Sequence, residues 1–174
     1  MTTLQREANR YFGYTAQETL NVAQSLYEKK LIAYPRTDSQ FLTDDMEETV
    51  FHLITIVRNV FEIKDNELPD VKRIINSAKV TDHHALLPTT EIEMYDLNLL
   101  SKAGSDALKL IGIELLLATG KKHEYLETEM TVSCMDTEFK SKGKQIISNG
   151  WKDLEQFNKT NTAESCSLFS RKGT

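Results

Sequence analysis

Cysteine is scarce: the 174 residues hold two, Cys134 and Cys166, far apart and without a Cys-x-x-Cys pair or a Cys/His cluster. That rules against a disulfide-stapled scaffold and a structural zinc site, and both read as free thiols in a reducing compartment. No apolar run reaches the ~18 residues a membrane-crossing helix needs. No signal peptide opens the sequence, so no membrane partner is expected and the expected location is cytoplasmic. Positive charge is also short. Lys and Arg number 21 against 26 Asp and Glu, a net charge of −5. That argues against wholesale binding along a nucleic-acid backbone, while leaving room for a local basic groove. There is no internal repeat and no low-complexity tract.

What is present is an ordinary globular composition, 40% hydrophobic and 27% charged. A chain of this length can bury roughly 70% of its unfolded surface and needs no staples. Thr15-Ala16-Gln17-Glu18 is a capping box, and Ala16, Leu20, Ala23, Leu26 and Tyr27 follow at helical spacing. This helix should run to about Lys30, with Lys29 and Lys30 at the negative end of its dipole. Residues 4–12 before it read as a short helix ended by Gly13. Thr43 caps a third helix, with Asp44, Asp45, Glu47 and Glu48 in its first turns and Met46, Val50, Leu53, Ile54, Val57 and Phe61 on one stripe. Residues 62–69 read as a loop, 71–77 as a short helix and 78–90 as irregular. A further helix is expected over 102–118, capped by Ser101.

After Gly120 the period changes to two. Leu126, Thr128, Met130, Val132 and Cys134 alternate with charged and hydroxyl residues, as in a half-buried strand. Residues 139–148 look like its partner, with Gly143 a candidate bulge, and Asn149-Gly150 is a turn signal. Trp151, the sole tryptophan, should anchor the end of this segment. The fold class is therefore α+β, mainly α, in three parts: helical over 1–119, β over 120–156, and a polar, poorly ordered tail over 157–174.

The candidate chemistry lies in LIAYPRTDSQ, residues 31–40. Pro35 forces Tyr34 out of the helical region, so the phenol stands on an extended edge directly after a helix. A phenol titrates near about 10 and needs help to act as a nucleophile at neutral pH. Arg36, two residues on in extended chain, projects to the same side; its charge favours the phenolate and can hold a phosphate. The ordinary alternative is a packed tyrosine beside a surface arginine. Thr37, Asp38 and Ser39 read as turn or capping residues. His83 and His84 are adjacent in an irregular segment. A histidine can donate to a phosphate oxygen or move a proton, and at most one of an adjacent pair faces a given site. The plain alternative is a hydrogen-bonded loop histidine. The acids of 44–48 read as solvated helix-terminus charges rather than metal ligands.

Taken together, LQREANRYFGYTAQETLNVAQSLYEKKLIAYPRTDS (residues 4–39) and AKVTDHHALLPT (residues 78–89) resemble the tyrosine-bearing segment of the type IA DNA topoisomerases, most closely the topoisomerase III branch. The helix after residue 99 and the strands around 124–151 extend the resemblance over most of residues 3–155. It implies a winged-helix-like tyrosine domain followed by antiparallel strands of an incomplete arch domain. It implies a parent enzyme that cleaves one DNA strand by transesterification to Tyr34, passes a strand, and religates without ATP. Tyr34 matches the nucleophile, which becomes a 5′-phosphotyrosine. Arg36 matches the arginine that positions the scissile phosphate, and His83 the first histidine of a motif that contacts DNA phosphate. The partners implied are DNA, single-stranded at the cleavage site, and the remaining domains of the same polypeptide; in a bacterium the location would be the nucleoid.

The family's acidic domain, which binds Mg2+, has no counterpart in this sequence, so no cofactor is expected on this chain and the chain alone is expected to be inactive. The helix around 110–114 also lacks the basic and aromatic residues often found there in the family. The alternative is a non-catalytic, helix-rich nucleic-acid-binding module, which should show a basic helix face with base-reading residues; the helices here carry apolar stripes and acidic or mixed outer faces. A protein-interaction domain is a third possibility.

Overall fold

The computed structural model describes residues 1–65, 67–135 and 137–159. Within them the fold is α+β and mainly α. Five α-helices run in chain order as α1 (Thr2–Phe12), α2 (Ala16–Glu28), α3 (Glu47–Val60), α4 (Lys102–Thr119) and α5 (Gln156–Lys159). Two strands, β1 (Glu124–Cys134) and β2 (Thr137–Ser148), pair antiparallel between α4 and α5. The tail was expected to begin at 157, but residues 157–159 belong to α5, with Phe157 packed against the core and Asn158 buried; the rest of it, 160–174 with Cys166, lies outside the described residues.

The helix starts follow their capping chemistry. Thr15 Oγ1 accepts from the Glu18 amide while the Glu18 carboxylate accepts from the Thr15 amide, so two otherwise orphaned donors of α2 are satisfied. Ser101 Oγ accepts from the Gly104 amide at 3.1 Å and opens α4. Gly13 ends α1 at φ +75°, and its N–H donates to the Asn9 carbonyl. α2 ends at Glu28, two residues earlier than its pattern suggests. Lys30 turns left-handed at φ +60°, and the Leu31 amide reaches back to the Leu26 carbonyl at 3.0 Å. The chain therefore leaves α2 abruptly and in a fixed direction.

α4 is the centre of the core. Leu108, Leu110, Ile111, Ile113, Leu115 and Leu116 are all buried, so the helix is apolar nearly all round, as a helix packed on several sides must be. It meets Leu4 and Ala8 of α1, Ala23 and Leu26 of α2, and the stripe of α3. Gly112 allows the close approach of α3: a Cβ there would lie 3.0 Å from Phe61 Cε2 and 3.1 Å from Val57 Cγ1. Tyr14 ties the α1–α2 turn to α4 by donating to Asp106 Oδ2 at 2.8 Å.

Four local expectations are corrected. Thr43 makes no side-chain cap bond; a 3-10 turn over Asp44–Met46 follows it and α3 starts at Glu47. The helix expected over 71–77 is a pair of 3-10 turns, Val71–Arg73 and Ser77–Lys79, because Ile75 between them bridges to Leu42. Gly143 pairs regularly with Thr128, and the register shift falls at Glu124/Tyr125 instead. The strands are not half-buried; β1 is exposed along its whole length on both faces. The two-residue period still sorts chemistry. Glu127 faces Lys144 and Glu129 faces Lys142 on one side, while Leu126, Met130, Val132 and Phe139 share the other. No second layer covers that side among the described residues, so alternation here marks faces and not depth. After the ribbon the chain returns to the helical body. Gly150 takes φ +53° against the Lys121 and Lys122 carbonyls, where a Cβ would collide, and the Trp151 amide bonds the Lys121 carbonyl at 2.9 Å.

Candidate active site

The site is a strap laid across a second strap. Residues 31–42 leave α2 and run beside residues 74–89. The Ala33 amide bonds the Leu87 carbonyl at 2.8 Å, the Thr89 amide bonds Leu31 at 3.0 Å, and Ile32 forms an antiparallel bridge with Pro88. Farther along, the Ala85 amide bonds Phe41 at 2.9 Å and Leu42 exchanges bonds with Ile74 and Asn76. Leu31, Ile32 and Leu42 are fully buried and anchor both ends of the first strap. Between those anchors exposure alternates. Tyr34, Arg36 and Asp38 are exposed; Pro35 and Thr37 are buried. Tyr34 and Arg36 are thus both at the surface, two residues apart, on a strap that bends at Ala33 and again at Pro35 between them.

The straps bring Tyr34 onto His83. Their ring centroids are 4.6 Å apart, with planes tilted by 48°. The link beneath them is Thr37, which is 6% exposed. Its hydroxyl donates to the His83 carbonyl at 3.2 Å and accepts from the Ser39 amide at 3.1 Å. Ser39 in turn closes a local turn, its hydroxyl bonding both the amide and the carbonyl of Phe41 at 3.1 Å. His84 points elsewhere: its Nδ1 lies 2.7 Å from the Ala85 carbonyl and the side chain is half-buried. Only one histidine of the pair therefore meets the tyrosine. Arg36 makes no hydrogen bond or ion pair among the described residues, which leaves its guanidinium free for an anion. The Tyr34 hydroxyl likewise has no hydrogen-bond partner among them.

Two contributors escape the sequence reading. Thr37 looks like one more turn residue, yet it is the buried bond between the tyrosine strap and the histidine strap. Tyr27 falls on the apolar spacing of α2, yet it is 39% exposed and meets Tyr34 in a T-shaped contact, centroids 5.6 Å apart at 75°. A tyrosine on the last turn of a helix, one short connection before a second exposed tyrosine, is the signal that could have found it.

A groove of about 620 Å³ lies behind the first strap, lined in part by Arg6, Glu7, Ser39, Gln40 and Glu114. Tyr34, Arg36 and His83 do not line it, so the concavity and the candidate chemistry lie apart. Burial pushes the Glu114 carboxyl above its usual range, with the charges of Glu7 and Glu155 adding to the rise and Arg6 opposing it. Among the described residues no three His, Cys, Asp or Glu stand together as a metal site, and no helix is long and apolar enough to cross a membrane.

A family model described as DNA topoisomerase matches residues 1–172. The chain is 38% identical over 159 residues to DNA topoisomerase 3 of Bacillus subtilis (strain 168), covering 87% of this chain and 22% of that protein. It is 37% identical over 164 residues to DNA topoisomerase 3 of Bacillus licheniformis, covering 90% and 22%, and 36% identical over 163 residues to that of Shouchella clausii, covering 89% and 22%. The chain thus spans 22% of the length of these relatives.

Proposed function

The chain belongs to the DNA topoisomerase family, and from that premise we propose that it carries the nucleophile half of a type IA, topoisomerase III-like cleavage site. The Tyr34 oxygen attacks a phosphodiester of single-stranded DNA and loses its proton. A bond forms from that oxygen to phosphorus, and the bond from phosphorus to the 3′ oxygen breaks. DNA is left on Tyr34 through a 5′ phosphate, and the 3′ oxygen leaves as a hydroxyl. Attack by that hydroxyl reverses the step, so religation needs no ATP. Arg36 holds the phosphate and offsets its charge; His83 contacts a phosphate beside the tyrosine. Phosphoryl transfer asks for an in-line nucleophile and positive charge on the phosphoryl oxygens, and these residue types supply both.

One observation carries the reading: the Tyr34 ring packs against the His83 ring, centroids 4.6 Å apart, with Arg36, exposed and unpaired among the described residues, two residues along. The Mg2+ site, and the groups that help the leaving oxygen, are assigned to the part of the relatives that this chain does not span.

The test is a chimera in which residues 1–159 replace the matching part of Bacillus subtilis DNA topoisomerase 3. Tyr34→Phe should abolish strand cleavage while single-stranded DNA binding persists. Cleavage by the Phe variant would overturn the assignment, and a module that only docks nucleic acid predicts no effect at all. The chain alone should leave the linking number of a supercoiled plasmid unchanged; a change would refute the division of the site between this chain and the rest.

A further inference from the structure

We propose that Tyr27 is a positioning residue for Tyr34, its ring fixing the orientation of the Tyr34 side chain and so the place of the phenolic oxygen. The inference rests on the reading of Tyr34 as nucleophile. The backbone around Tyr34 is held by the bonds of Ala33 and Thr89 to the neighbouring strap, but its side chain is 38% exposed and its hydroxyl is unbonded among the described residues. Among the described residues, the contacts that restrain its side-chain torsions are those with two rings, His83 and Tyr27. A tyrosine side chain has several staggered wells, and a jump between them carries the hydroxyl through several ångströms. In-line attack tolerates far less than that.

Tyr27 is suited to the task because its backbone is fixed and its place in a helix disfavours one of the three χ1 wells. It lies on the last turn of α2, next to the buried Leu26. The Lys30 amide bonds the Tyr27 carbonyl at 2.8 Å and the Leu31 amide bonds Leu26 at 3.0 Å, so the turn leading to the Tyr34 strap is tied to the residues that present the ring. The T-shaped arrangement sets the positive edge of one ring against the negative face of the other. The Tyr27 hydroxyl also has no partner among the described residues, so the ring makes the contact and the hydroxyl does not. An aromatic pair of this kind biases a conformational equilibrium by between about twofold and tenfold.

Two readouts test this. In the chain itself, three-bond NMR couplings should show one dominant Tyr34 rotamer in the wild type and in Tyr27→Phe, and averaging in Tyr27→Ala and Tyr27→Leu; the Leu variant keeps apolar bulk without a ring. An averaged wild type, or an Ala variant with the wild-type rotamer, overturns the proposal. In the chimera, Tyr27→Ala should slow single-turnover cleavage by about two- to tenfold with unchanged DNA affinity, and Tyr27→Phe should restore the rate. Equal loss in the Phe and Ala variants, or a loss confined to affinity, would mean that Tyr27 touches DNA directly and would overturn positioning. If Tyr34→Phe still cleaves, the nucleophile reading fails, and the rotamer result is unaffected by that failure.

Discussion

Replacing Thr37 with valine tests whether one buried hydroxyl holds the tyrosine and histidine straps together. Valine keeps the shape and removes the hydroxyl, a change that is not conservative at a bonded site. Two hydrogen bonds go: the one donated to the His83 carbonyl and the one accepted from the Ser39 amide. Each is worth about 1 kcal/mol net, so the loss should be about 2 kcal/mol. For a chain of this size that lowers the melting temperature by roughly 4–8 °C. Thr37→Ser keeps both bonds and loses only a methyl, about 1 kcal/mol or less. The assay is urea and thermal unfolding of the three proteins, together with NOEs between the Tyr34 and His83 rings. The valine variant should lose both stability and ring contacts; the serine variant should keep the contacts. A valine variant within about 0.5 kcal/mol of wild type, with the ring contacts intact, would refute the account of how the site is assembled.

Tyr14 and Glu114 give pH-dependent tests. Burial, then the bond to Asp106 and its charge, push the Tyr14 hydroxyl up to about 12 from an ordinary value of 10. Its raised value means that the contribution is complete below pH 10 and is lost as pH rises through about 12. Tyr14→Phe should cost about 2 kcal/mol at neutral pH and should flatten that alkaline decline in urea midpoints. The Glu114 carboxyl is raised above its ordinary 4.5, so the folded state favours its protonated form and loses stability as pH climbs above that value. Glu114→Gln should therefore raise the melting temperature at pH 7 and have no such advantage in acid below the ordinary carboxylate range. A stabilisation that persists undiminished into acid would contradict the burial argument.

Legibility in the sequence followed the range of the interaction. The α2 capping box and the Ser101 cap are local, and each appears where its residues place it. The burial of α3 was readable from spacing because a single periodic stripe carries it. Depth in the β ribbon was not readable, since alternation is the same whether or not a second layer covers one face. The expected helix over 71–77 gave way to a pairing between Ile75 and Leu42, which no local pattern encodes. Tyr34, Arg36 and His83 were singled out by residue type and motif, and the fold brings the first and last of them into contact. Thr37 was missed because turn residues look alike in sequence and differ only in what they bond across the fold. Tyr27 was missed because helical spacing assigned it to the core, whereas the sharp exit from α2 at Lys30 leaves it at the surface against Tyr34.

The most direct measurement is to trap and map the covalent intermediate. The chimera carrying residues 1–159 is incubated with a labelled single-stranded oligonucleotide, denatured, digested with protease and nuclease, and the nucleotide-bearing peptide is sequenced by mass spectrometry. The account predicts a single adduct on Tyr34, linked through a 5′ phosphate and absent from Tyr34→Phe. An adduct on another residue, or one that survives that substitution, would contradict it.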